Sequence, residues 1–81
     1  MITPAQCRAA RALLKWSQDD LAERSGIGVA SIRAFETDAR SPYKRTLKTL
    51  RETFEAAGIE FIDDSGLKLD RSEGDSSGRR Q

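Results

Sequence analysis

Ser17-Gln18-Asp19-Asp20-Leu21-Ala22-Glu23-Arg24-Ser25-Gly26-Ile27-Gly28-Val29-Ala30-Ser31-Ile32-Arg33-Ala34-Phe35-Glu36 is the stretch whose reading decides the fold. Ser17 is a capping residue, and Asp19 and Asp20 fall in the first turn behind it, where carboxylates favour the positive end of a helix dipole. A helix is predicted over Gln18 to Ser25, with Leu21 and Ala22 turned inward. Gly26 stops it, because glycine takes the left-handed conformation at little steric cost. Only Gly26-Ile27-Gly28 remains before the next helix, which has Gly28 as a permissive cap and Ile32 and Phe35 as inward residues at helical spacing. So short a connection makes the two helices cross instead of lying antiparallel.

Working outward, Thr3-Pro4-Ala5-Gln6 combines a capping threonine, proline at the first helical position and glutamine three residues after the cap. A helix is predicted from Pro4 to about Lys15, with Cys7, Ala10 and Leu14 as its apolar stripe and Trp16 opening the connection. Beyond Glu36 the periodicity breaks. Asp38 is a candidate left-handed residue, and Ser41-Pro42 marks a new helix start. The fourth helix runs to about Ala57, with Leu47, Leu50, Phe54 and Ala57 at intervals of three and four, and Gly58 ends it. The period then changes: Ile59, Phe61, Leu67 and Leu69 flank Glu60, Lys68 and the turn Asp63-Asp64-Ser65-Gly66, which predicts a β-hairpin. A lone hairpin is marginal in water and has open edges, so Ile59, Phe61, Leu67 and Leu69 are expected to help form a homodimer; folding onto the chain's own helices is the alternative. From Asp70 to Gln81 there is no apolar residue, and disorder is expected. The organisation is therefore mainly α: a compact four-helix bundle over 1–58, a hairpin over 59–69 as a dimerisation element, and a tail over 70–81.

A chain of 81 residues is one domain at most, and a domain of this size buries only roughly 60% of its unfolded surface, which disfavours a deep active site. No apolar run approaches the roughly 20 residues that a membrane span needs. The opening residues lack a basic segment followed by an apolar one, so a cytoplasmic location is expected. Cys7 is the single cysteine and there is no histidine, which leaves no intrachain disulfide and little material for zinc binding or triad catalysis. No cofactor, metal or enzymatic activity is expected. Cys7 reads as a small buried hydrophobe, Asp19-Asp20 as a helix cap and Asp63-Asp64 as a turn. The net charge of +1 conceals a segregation: Arg40, Lys44, Arg45, Lys48 and Arg51 occur with no acid between them, whereas 52–75 holds eight acids against Lys68 and Arg71. Such a distribution suits one face that meets phosphates and an acidic opposite end; an ordinary solvated helix face is the plainer reading.

Two crossing helices with a glycine turn form the helix-turn-helix pattern, although an ordinary helix pair in a small bundle has the same outline. Arg11, Trp16-Ser17-Gln18-Asp19-Asp20-Leu21-Ala22, Gly26-Ile27 and Ile32-Arg33-Ala34-Phe35-Glu36 resemble the Cro and phage-repressor type of helix-turn-helix regulator, the XRE family, over roughly Arg8 to Phe54. The resemblance implies a compact bundle of about five helices, here with the hairpin in place of the fifth, usually bound to DNA as a dimer. It also implies that Gln18 touches the DNA backbone or supports the recognition helix, and that Arg11 pairs with Glu36.

Helical geometry agrees with this docking. If Ile32 and Phe35 face the core, Ala30, Arg33, Ala34 and Thr37 lie opposite them, with Val29 at the exposed leading end. Arg33 is the candidate for a bidentate contact to guanine, and Val29, Ala30 and Ala34 for methyl contacts to thymine. Relatives with polar glutamines here would read bases more directly, so DNA shape is expected to carry more of the specificity. Gln18, Thr37, Arg40, Tyr43, Lys44, Arg45 and Lys48 are the phosphate candidates. The expected function is that of a sequence-specific transcriptional regulator, a repressor that binds double-stranded DNA at a two-fold operator as a homodimer. The competing expectation is a protein-interaction module, an antitoxin or antiactivator, whose partner is a toxin or a second regulator; Val29 and Ala30 favour it and the basic run opposes it.

Overall fold

Thr3 starts the first helix in the computed structural model, which describes residues 2–62 and 66–69. The elements in order are α1 (Pro4–Leu14), α2 (Gln18–Ser25), α3 (Val29–Glu36), α4 (Lys44–Ala56), β1 (Ile59–Phe61) and β2 (Leu67–Leu69). The Thr3 hydroxyl accepts from the Gln6 amide at 3.1 Å, and Gln6 Oε1 accepts from the Thr3 amide at 3.0 Å. Each partner thereby satisfies a donor that the helix start leaves without an intrahelical acceptor. α2 uses the same device. Ser17 Oγ accepts from the Asp20 amide and an Asp20 carboxylate oxygen accepts from the Ser17 amide, both at 2.9 Å. That backbone bond, with the hydroxyl, holds the Asp20 carboxyl below the usual carboxylate range.

Two boundaries differ from the sequence expectation. α1 stops one residue early, because Lys15 is left-handed at φ 59°. The Lys15 amide donates to the Ala12 carbonyl and the Trp16 amide to the Arg11 carbonyl, a closed C-terminus that turns Trp16 back so that it stacks on Phe54 at 5.8 Å. α4 begins at Lys44, not at Ser41-Pro42. Tyr43 is its extended N-cap and makes no side-chain cap bond, so no local cap chemistry marks the start. Pro42 stays in the connection. Gly26 ends α2 at φ 78° and Asp38 is left-handed at φ 62°, both at the expected positions.

The core draws Cys7 and Ala10 from α1, Leu21 from α2, Ile32 and Phe35 from α3, and Leu47, Leu50 and Phe54 from α4. Ile59 of β1 is buried in the same core at 3% exposure. β1 and β2 pair antiparallel, with Ile59 opposite Leu69 and Phe61 opposite Leu67, while Glu60 and Lys68 face each other on the exposed side. Phe61, Leu67 and Leu69 pack against the helical core, and Phe61 meets Phe54 edge-on at 6.4 Å. Gln6 reaches across from α1, where its Nε2 donates to the Gly66 carbonyl at 3.2 Å.

This placement matches the alternative of a hairpin folded onto the chain's own helices, and leaves edge pairing as the hairpin's route to a homodimer. Strands of three residues cannot hold their apolar face dry unaided, and here the chain's own helices cover it. Ile59 is inside the protomer, and Phe61, Leu67 and Leu69 are turned toward it. What the hairpin offers a second chain is its strand edges and Ile62, which is 60% exposed. The predicted turn residues 63–65 and the tail 70–81 lie outside the described residues. Among the described residues no helix is long and apolar enough to cross a membrane.

Candidate nucleic-acid interface

α3 is held at its C-terminal end by a buried carboxylate. Glu36 Oε2 accepts from Arg11 Nε at 2.7 Å, and Oε1 accepts from Arg11 Nη2 at 2.7 Å, a two-pronged ion pair with side-chain exposures of 19% for Arg11 and 2% for Glu36. Gln18 Nε2 donates to Oε1 at 3.0 Å and the Cys7 thiol donates to Oε2 at 3.1 Å. Arg8 Nη1 donates to the Glu36 main-chain carbonyl, and Arg11 Nη1 to the Trp16 carbonyl at 3.1 Å. α1 and α2 thus converge on one residue of α3.

Burial alone would raise the Glu36 carboxyl, but the hydrogen bonds from Arg11, Gln18 and Cys7, with the Arg11 charge, outweigh it and hold the carboxyl below its ordinary value. The same burial, reinforced by Glu36, pushes the Cys7 thiol far above its ordinary range, so it is a poor nucleophile. Because the folded chain holds Glu36 ionised more firmly than the unfolded chain does, the unfolded chain takes up the proton first. The stabilisation is complete above the unfolded value and is lost as the pH falls toward the folded one. Urea midpoints taken downward from pH 7 should show the parent losing its advantage over Glu36→Gln; a difference that stays constant across that range contradicts this.

The opposite face of α3 is open. Ala30, Ser31, Arg33 and Thr37 are exposed, and Val29 and Ala34 are half-buried. Arg40, Tyr43, Lys44, Arg45 and Lys48 are all exposed, Tyr43 at 83%. Among the described residues, Arg33 and these four cations make no ion pair. Arg40 and Tyr43 come beside α3 around a hollow of about 390 Å³ that is also lined by Ile27, Ser31 and Thr46. Lys44, Arg45 and Lys48 span roughly a 100° arc of α4, with Lys48 a turn further from the helix start, and none of the three lines the hollow. Thr37 bonds back to the Arg33 carbonyl at 3.0 Å.

Helix capping divides the molecule in the same way. α1 and α2 begin with reciprocal caps, whereas α3 and α4 begin at Gly28 and Tyr43 with no side-chain cap bond and no acid in the first turn. Uncapped amides at a helix start suit an anion. The start of α2 does not, since Ser17 and Asp20 close it and Asp19 and Asp20 are negative there. The Gln18 amide itself donates to Glu36.

Sequence reasoning passed over Ser31, whose spacing of three from Ala34 places it at the border of the open face. Arg51, counted in the basic run, is engaged elsewhere: it pairs with Glu55 at 2.9 Å and covers the Phe61 ring at 5.1 Å. Among the described residues no cluster of His, Cys, Asp or Glu is arranged to hold a metal. Compared with known families, residues 8–59 match the model described as helix-turn-helix, a span that covers α2, α3 and α4 and reaches the first hairpin residue. No curated protein matches the chain by sequence.

Proposed function

The chain belongs to the helix-turn-helix family of XRE-type DNA-binding regulators, and from that membership we propose that it represses transcription by occupying a two-fold operator as a homodimer. The observation that supports this reading is the open face of α3 with Arg40 and Tyr43 beside it around the hollow, while Arg33, Arg40, Lys44, Arg45 and Lys48 are exposed and have no ion-pair partner among the described residues. Arg33 reads a base, and Val29, Ala30 and Ala34 offer methyl contacts. Arg40, Tyr43, Lys44 and Arg45, together with the uncapped starts of α3 and α4, meet phosphates; Thr37 and Lys48 lie at the edge of that surface. Occupancy of a promoter then excludes polymerase without any chemistry.

Two protomers on one duplex would place their α3 helices about 34 Å apart. The hairpin edges and Ile62 are what the fold leaves for contact between them. Monomeric mass in sedimentation at tens of micromolar (on the order set by weak homodimers), with and without DNA, would remove the dimer from the proposal. The primary test is a genomic-fragment binding selection at roughly physiological salt, where non-specific affinity is only about 10⁻⁴ to 10⁻⁶ M. Fragments sharing a two-fold motif support the reading, and an empty selection sinks it.

Lys44→Ala should weaken binding to every sequence alike and reduce the slope of log affinity against log salt by about one. Titrations of selected and random duplexes between low and moderate salt check this. A loss confined to the selected duplex would reassign Lys44 to base reading.

A further inference from the structure

We propose that Cys7 is a positioning residue for the recognition helix, its thiol filling the last acceptor site of the carboxylate that seats α3. The inference rests on the DNA-reading role of α3 given above. An ionised carboxylate has about four acceptor positions. Arg11 Nε, Arg11 Nη2 and Gln18 Nε2 occupy three of them on Glu36. Cys7 Sγ stands 3.1 Å from Oε2 and is fully buried, so bulk solvent does not reach the thiol to take its place.

All these donors come from α1 and α2, while the open face of α3 lies on its other side. Glu36 is therefore a point at which the seat of α3 against its neighbours is set. Removing the thiol leaves one lone pair of a buried charge without a donor. Relief comes by movement of Glu36 toward its remaining partners, and Arg33 stands only three residues before it on the same helix. A bidentate base contact is sensitive to such a displacement, whereas attraction to phosphate is not. The consequence falls on discrimination between sequences and spares general DNA affinity.

Two substitutions separate this role from that of a plain core hydrophobe. Cys7→Ala and Cys7→Ser both shrink the side chain, but only serine keeps a donor. A core hydrophobe tolerates alanine better, since serine buries a hydroxyl; a positioning donor gives the reverse order. The probes are the genomic fragment that the parent retains most strongly and a random duplex of equal length. Cys7→Ala should lose about tenfold in the ratio of the two affinities, near the low end of what a hydrogen bond to a charged group supports. Cys7→Ser should recover most of that ratio, and affinity for the random duplex should not change. Serine equal to or below alanine overturns the proposal.

The S–H stretching band of the parent in the infrared needs neither variant nor DNA. It should lie below that of an unbonded thiol, and a band at the unbonded position overturns the proposal. If the parent retains no fragment, the DNA reading fails and the positioning role falls with it; an unbonded band with intact fragment selection removes the thiol's role alone.

Discussion

Arg11→Ala is expected to lose about 3–5 kcal/mol of folding stability, the cost of stranding one member of a buried pair. Glu36 has 2% side-chain exposure and, among the described residues, keeps Gln18 and Cys7 as side-chain donors when the guanidinium is gone. A chain of this length has on the order of 4–10 kcal/mol in total. The variant should therefore have lost a large part of its stability, and its urea midpoint should drop sharply at unchanged slope. Arg11→Met combined with Glu36→Leu should be less damaging than Arg11→Ala, because no charge is left without its partner. An Arg11→Ala midpoint within error of the parent, or a double variant worse than the single one, contradicts the account of the pair.

Arg33→Ala is expected to lose about 1–3 kcal/mol in affinity for the selected fragment while leaving random DNA nearly unaffected. Arg33 is exposed, makes no ion pair among the described residues, and stands in the last turn of α3. That position also favours a cation through the helix dipole, by about 0.3–1 kcal/mol. The binding loss must accordingly be read on protein shown to be folded, by comparison of the two duplexes. Lys44→Ala provides the contrast, since every duplex presents the same phosphates whatever its bases. Equal losses on both duplexes for Arg33→Ala would move Arg33 into the phosphate set and leave shape as the main source of specificity.

The parts of the fold legible in the sequence are those with local causes. Thr3 and Ser17 announce the starts of α1 and α2 because their hydroxyls bond residues three positions away. Gly26 and the spacing of Ile32 and Phe35 bound α3 and define its open face. The end of α1 is not legible, since Lys15 is a left-handed lysine with no glycine to mark it, and the Trp16 that follows packs on Phe54, 38 positions further on. Nor is the start of α4, which has no side-chain cap. Alternation at Ile59, Phe61, Leu67 and Leu69 shows that one face of the hairpin is covered but not by what; the chain's own core covers it. At the site, the Arg11–Glu36 pair came from family resemblance. The Cys7 contact to Glu36 spans 29 positions and has no periodic signature. The Gln18 contact to Glu36 spans 18 positions and likewise has no periodic signature.

The central claim is that the open face of α3 and the residues leading into α4 form the DNA surface. Amide chemical-shift mapping during titration with a selected fragment tests it most directly. The account predicts the largest changes from Gly28 through Arg33 and across 39–45, with small changes in the outward residues of α1. Changes centred on the hairpin, with 28–33 and 39–45 unmoved, would contradict it.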